Sequence, residues 1–275
     1  MTGAGSARAL PGFRLTVTVT AVYLTLIVLL PLTGLVAKAA TMDGARAWAL
    51  LSSPRTLAAF QVSFGISALT ALINVPIGVL LAWTLTRYRM PGRRVLDAMI
   101  DLPFALPTAV AGIALATLYA DQGWIGALAA RFGVQIAFTR LGIGVALLFI
   151  GLPFVVRTVQ PVMEALDRAA EEAAMTLDAS AWQIFRHVVL PPLLPAIMTG
   201  AALAFARAVG EYGSVIFIAG NRPGVSEIVP LLIVSRLEQF DYPGAALLGT
   251  MMLVLSFTML LVVNMLQSRT AARGA

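Results

Sequence analysis

The stretch Glu171–Pro195, EEAAMTLDASAWQIFRHVVLPPLLP, is the longest polar-rich interruption in the C-terminal half of a mostly apolar chain. Ala169–Ala174 strongly favours helix. Asp178 and Ser180 are residue types that break a helix or cap the next one, and Ala181–Val189 restarts a helical pattern. Pro191, Pro192 and Pro195 are then expected to end this piece as another apolar run begins. The whole reads as a helix–turn–helix lying on one face of a membrane protein. An ordinary solvated loop would not carry Ala173, Ala174, Met175, Leu177, Trp182, Ile184 and Phe185 at such density. Exposed apolar side chains rimmed by Glu164, Asp167, Arg168, Glu171 and Glu172 point to a docking face for a partner.

Composition sets the context. The chain has 275 residues, 59% hydrophobic and 12% charged, with a mean hydropathy of +0.90. A soluble domain carries about 25% charged residues, so this chain has roughly half the usual charge and reads as a polytopic membrane protein. There is no cysteine, which excludes disulfides and thiolate metal sites. A single histidine, His187, excludes a multi-histidine metal site within the chain. The net charge of +6 is better explained by Arg and Lys kept on one side of a membrane than by nucleic acid.

About 20 apolar residues cross the hydrocarbon core at 1.5 Å per residue, and six stretches qualify. They are 15–37, 57–86 with Asn74 and Pro76 inside, 95–120 with Pro103 and Pro107, 141–160 with Pro153 and Arg157, 193–219 with Arg207 and Glu211, and 242–266. The first is longer than the 7–15 residues of a signal-peptide core and is expected to be an uncleaved span, although Ala37-Lys38-Ala39 loosely resembles a cleavage site. The stretch 161–192 is a loop on the face where the docking residues lie. Within 221–241, the short run Ile228–Val234 cannot span and is expected to form an interfacial or re-entrant helix. Trp48 and Trp124 suit an interfacial belt.

Charge gives the orientation. With the N-terminus inside, eleven arginines fall on the inner face: Arg8, Arg14, Arg87, Arg89, Arg93, Arg94, Arg157, Arg168, Arg186, Arg269 and Arg273. Seven Lys and Arg fall outside: Lys38, Arg46, Arg55, Arg131, Arg140, Arg222 and Arg236. The expectation is cytoplasmic N- and C-termini, with the opening stretch also cytoplasmic.

The chain lacks a phosphate-cradling G-x-x-x-x-G-K-[ST] loop, a G-x-S-x-G elbow and an H-E-x-x-H pair. It is therefore not read as an enzyme by itself, and no cofactor or metal is expected. Arg207 and Glu211 lie within the fifth run, where a charge costs about 2.5–3.5 kcal/mol on insertion scales. Four residues apart, they share a helix face and can pair. Three roles stand open: an internal ion pair that fixes helix packing, an anion path or gate, and snorkelling at the lipid boundary. Gly210 and Gly213 would permit close approach of a neighbouring backbone.

The opening stretch resembles the EAA signature of binding-protein-dependent ABC importer permeases, EAA-x3-G-x9-I-x-L-P. Glu172, Ala173 and Ala174 match its start, and Leu190 and Pro191 its end at the correct spacing. Val188 replaces Ile, and Asp178 stands where the pattern has the glycine of a left-handed turn. Asp tolerates that conformation less well than Gly, though better than most residues. A second run, ARAVGEYGSVIFIAGN over Ala206–Asn221 followed by Ser226–Ala245, resembles the T-type permease subunits of sulfate/thiosulfate importers, as does DLPFALPTAVAGIAL over Asp101–Leu115. The G-E-[YF]-G element is also shared with molybdate permeases, which leaves another oxyanion such as molybdate or tungstate as the alternative.

The resemblance implies an all-α polytopic membrane protein with six transmembrane helices in the type I ABC importer (MetI-like) permease fold, in a bacterial inner membrane. It implies a second homologous permease subunit, two ATPase subunits that bind ATP and Mg, a periplasmic sulfate/thiosulfate-binding protein, membrane lipid around the spans, and no nucleic acid. Glu172, Ala173, Ala174, Asp178, Val188, Leu190 and Pro191 would be the ATPase-coupling residues. Arg207 and Glu211 would lie at the translocation path or gate.

Overall fold

The computed structural model describes residues 13–271, so Arg8 and Arg273 of the charge count lie outside the described residues. The described residues contain helices and no strands. In chain order these are α1 (Phe13–Ala40), α2 (Gly44–Leu51), α3 (Pro54–Arg87), α4 (Arg93–Ala105), α5 (Thr108–Tyr119) and α6 (Trp124–Ala130). They continue with α7 (Arg140–Ala165), α8 (Arg168–Thr176), α9 (Ala181–Val209), α10 (Val215–Ile218), α11 (Val229–Glu238) and α12 (Tyr242–Ala271). Five of them are long and apolar enough to cross a membrane: α1, α3, α7, α9 and α12.

The third of the six apolar runs is broken. The run 95–120 folds as α4 and α5, bent by 112°. The cause is Pro107: a residue before proline is driven to extended backbone, and Leu106 adopts φ −85° and ψ 135°. The helix therefore stops at Ala105 and restarts at Thr108. Pro103 sits inside α4 without breaking it.

The opposite outcome occurs at Pro191, Pro192 and Pro195. They do not end the helical piece that starts at Ala181; α9 runs on through them to Val209. A π-helical turn, Phe185–Val189, precedes them and is closed by the Leu190 amide donating to the Phe185 carbonyl. Proline removes an N–H and pushes on the carbonyl four residues back, and a widened turn accommodates both. The same device appears in α1, where the π turn Thr25–Leu29 lies just before Pro31.

The bundle is centred on α7, which packs on α3 and α9. Its most apolar stretch is 56% buried, against 0% for α1, which touches the bundle mainly through α12. Small residues permit the central packing. A Cβ on Gly78 of α3 would lie 2.6 Å from Val155 Cγ1, and one on Gly200 of α9 would lie 2.9 Å from Val155 Cα. Asn74, buried inside α3, donates to the Leu148 carbonyl at 3.3 Å. Buried side chains pack in clusters, one around Val155, Val159, Met163, Leu193 and Leu85, another around Ile143, Leu147, Val215 and Ile218, and a third around Leu50, Ala59, Val229, Leu232 and Leu248.

The segment 221–241 forms a short helix, α11, laid on α3 and α12 with Val229, Leu231 and Leu232 buried. Its N-terminal amide, Val229 N–H, donates to Ser63 Oγ at 2.8 Å. Trp48 and Trp124 are both strongly exposed, at 74% and 90%.

Candidate functional site

The stretch after α7 folds as the short helix α8 and the first turns of α9, joined by a tight turn. Asp167 caps α8 by accepting from Ala169 N–H at 2.9 Å. The helix ends in a Schellman motif, in which the Ala179 amide donates to the Ala174 carbonyl at 3.2 Å and the Asp178 amide to Met175 at 3.1 Å. That motif needs a left-handed residue, and Asp178 takes it with φ 59°. Ser180 then starts α9 with a capping box: Gln183 Oε1 accepts from the Ser180 amide at 2.7 Å, while Ser180 Oγ accepts from the Gln183 amide.

Of the residues singled out by sequence, Glu172, Ala173, Asp178 and Pro191 are exposed, and Ala174, Val188 and Leu190 are half-buried. Ala174, Asp178 and Val188 come together with Leu177, Ala179, Gln183, Ile184 and His187 around a cleft of about 340 Å³. Leu177, Trp182 and Met175 are 82%, 65% and 56% exposed. The apolar face is narrower than the sequence suggested, because Ile184 is buried in the core and Phe185 packs against it. The Glu172 carboxylate forms no ion pair among the described residues.

Arg207 and Glu211 pair, Nη1 to Oε2 at 2.5 Å, but not within one helix. α9 ends at Val209, so Glu211 lies in the turn beyond it. Its other oxygen, Oε1, accepts from the Ser214 amide at 2.8 Å and the Ser214 hydroxyl at 2.9 Å. Glu211 is 2% exposed and Arg207 about one third exposed, at 34%. Burying an ionised carboxylate is tolerable only with such full pairing. Gly213 meets a close neighbour, since a Cβ there would collide with Thr108 Oγ1, whereas a Cβ on Gly210 would find only the Ala206 carbonyl at 4.0 Å.

Sequence reasoning missed two charge clusters beside this stretch. Arg87, at the C-terminal end of α3, pairs with Glu171 of α8 in a largely buried contact. The arginine had been counted only as loop charge. Arg157 of α7 grips Asp101 with Nε and Nη2 at 2.7 and 2.6 Å and Asp97 with Nη1 at 2.7 Å. The signal was present: two carboxylates four residues apart share one face of a helix, inside an otherwise apolar run. This cluster ties α4 to α7 just before the α7–α8 connection.

A family described as "binding-protein-dependent transport system inner membrane component" matches residues 74–272. The chain belongs to this family. The permease is also similar over nearly its whole length to curated relatives. It is 52% identical to the sulfate transport system permease protein CysT of Synechococcus elongatus, over 90% of this chain and 89% of the relative. It is 47% identical to the protein of the same name from Escherichia coli K12, over 99% of both. Solved structures share the fold. A subunit of a bacterial ABC transporter importing the acidic polysaccharide alginate superposes with a TM-score of 0.77 at 17% identity, over 94% of this chain and 96% of that one. A chain of the MetNI methionine ABC transporter gives 0.55 at 20% identity, over 84% and 99%. The permease is thus an all-α, multi-pass membrane protein of the ABC importer fold.

Proposed function

We propose that this chain is the membrane-spanning permease subunit of an ATP-driven importer for sulfate and thiosulfate. The observation that carries the substrate is the end-to-end similarity, at 47–52% identity, to proteins named as sulfate transport system permeases. The chain supplies the path and the lever. Hydrolysis of ATP, with its Mg, takes place in two partner ATPase subunits, and the chain is not an enzyme by itself. A second homologous permease completes the path, and a periplasmic binding protein delivers the anion. The permease sits in a bacterial inner membrane with both termini in the cytoplasm.

The lever is 167–192. Glu172 meets a basic residue of the ATPase, and Ala173 and Ala174 give the close approach that a groove-docked helix requires. Leu177, Trp182 and Met175 supply the apolar contact, and Val188, Leu190 and Pro191 lead into the fifth span. The left-handed Asp178 turn sets the angle between the two pieces. Closure of the ATPase pair on ATP moves the lever, and the spans alternate their access. Arg207 in the last turn of the fifth span pairs with Glu211 in the turn beyond it: buried Glu211 fixes the turn, and the partly exposed Arg207 lies at the path or gate. A weak, transient anion contact suits transport, because tight binding slows release.

The test is uptake of labelled sulfate by a knockout strain carrying this chain, with thiosulfate and molybdate as competitors. Sulfate uptake that thiosulfate inhibits and molybdate does not is the expected outcome. Inhibition by molybdate alone would overturn the substrate assignment.

A further inference from the structure

One charged residue outside every motif is placed to carry motion from the lever into the bundle. Arg87 ends α3, and its guanidinium is bound by Glu171, one residue before the motif glutamate. Arg87 and Glu171 side chains are only 11% and 18% exposed. The same guanidinium lies 5.7 Å from the ring centre of Trp83, one turn back in α3. Trp83 meets Phe185 of α9 edge-on at 5.9 Å, and Phe185 stacks on Trp182 at 5.7 Å. A continuous contact therefore runs from α8 through Arg87 and Trp83 to the π turn of α9. It joins the lever to both the second and the fifth spans.

The contact also has unused capacity. Arg87 engages Glu171 through Nη2, while its buried Nε has no hydrogen-bond partner among the described residues. A buried donor left unmet is costly. At the other end of the same helix, Arg55 holds Glu227 with both Nε and Nη2, at 2.8 and 2.6 Å. A forked guanidinium matches a carboxylate in that two-point way. The Arg87–Glu171 contact is one bond short of that two-point grip.

We propose that Arg87 is a positioning residue that transmits displacement of α8 to the second and fifth spans, through Glu171 on one side and Trp83 on the other. This rests on the reading of 167–192 as the ATPase-docked lever. It requires neither contact with the anion nor contact with the ATPase by Arg87 itself.

The experiment uses the complete importer reconstituted in vesicles and reads sulfate taken up per ATP hydrolysed. Arg87→Glu should lower that ratio by at least about fivefold, the lower range of typical coupling between sites, with the ATPase subunits still bound. Arg87→Glu combined with Glu171→Arg should restore it to within about twofold, because the pair is re-formed with its charges exchanged. Arg87→Lys should keep most of the ratio. An unchanged ratio in Arg87→Glu overturns the proposal, and so does an equal loss in the single and double variants. Should Arg87→Glu fail to assemble, Arg87→Gln, Glu171→Gln and their combination serve instead: equal, non-additive losses support transmission, and additive losses overturn it. Wild-type uptake that proceeds without bound ATPase would overturn the lever reading itself, an outcome separable from a failed rescue.

Discussion

The two ends of α3 are held in opposite ways. This helix runs 34 residues, roughly 50 Å at 1.5 Å per residue, and carries an ion pair near each end. At its N-terminal end Arg55 fastens Glu227, whose side chain is 0% exposed, by two bonds. Around that lock, Asp241 accepts from Arg46 at 3.1 Å and Arg236 at 3.3 Å, and Ser63 holds the start of α11. Arg140 adds a bond to the Val225 carbonyl. At its C-terminal end Arg87 holds Glu171 by one nitrogen, and beyond it Glu172, Leu177 and Trp182 are exposed. One end is fastened to its own chain; the other presents unpaired charge and apolar surface. The proposed lever needs both, because it would work only against a fixed point.

This contrast is open to attack from its strong side first. Arg55→Leu should destabilise the protein by about 3 kcal/mol, the lower range for breaking a buried pair, since Glu227 is left buried and unpaired. Glu227→Leu should cost less, because Arg55 is already 39% exposed and turns to water. Thermal unfolding of the solubilised protein measures both, and equal losses would remove the asymmetry. Gly200→Ala should cost about 2 kcal/mol by overpacking against Val155, with loss at the lever no greater than elsewhere by hydrogen exchange.

The presented end should respond in function and not in stability. Ala173→Trp, at an exposed position, should abolish uptake while changing stability by less than about 1 kcal/mol. Arg207→Gln should lower uptake more than it lowers recovery of the assembled complex; equal loss of both would assign the pair to packing alone. The smallest effect is expected at the hinge. Asp178→Gly should stabilise the turn by about 1 kcal/mol, the typical penalty of a non-glycine residue in left-handed backbone. Uptake should be unchanged or slightly raised.

The spans were legible because apolar length is a one-dimensional property. Their interruptions were harder, since the same residue type acted in two ways. Pro107 broke the third run into α4 and α5, whereas Pro191 and Pro192 were absorbed by a π turn. Sequence alone does not say whether a neighbouring turn can widen. The helix–turn–helix was legible down to its hinge, because Asp178 and Ser180 are local signals, and the structure places Asp178 in the left-handed region. Which apolar residues stay exposed was not, because the burial of Ile184 depends on packing by other helices. The pair Arg87–Glu171 spans 84 positions and leaves no local pattern at all. Arg207 and Glu211 were legible as a pair by spacing, but the end of α9 between them was not.

The central claim is that the exposed face around Asp178 is where the ATPase sits. The chain has no cysteine, so a single introduced thiol is a unique reporter. Leu177→Cys and Phe240→Cys, both strongly exposed at 82% and 77% in the parent residues, would each carry a short photo-crosslinker in the assembled complex. Leu177→Cys should capture the ATPase subunit, with a yield that changes when ATP is added, and Phe240→Cys should not. Capture of the ATPase from Phe240→Cys and none from Leu177→Cys would contradict the account.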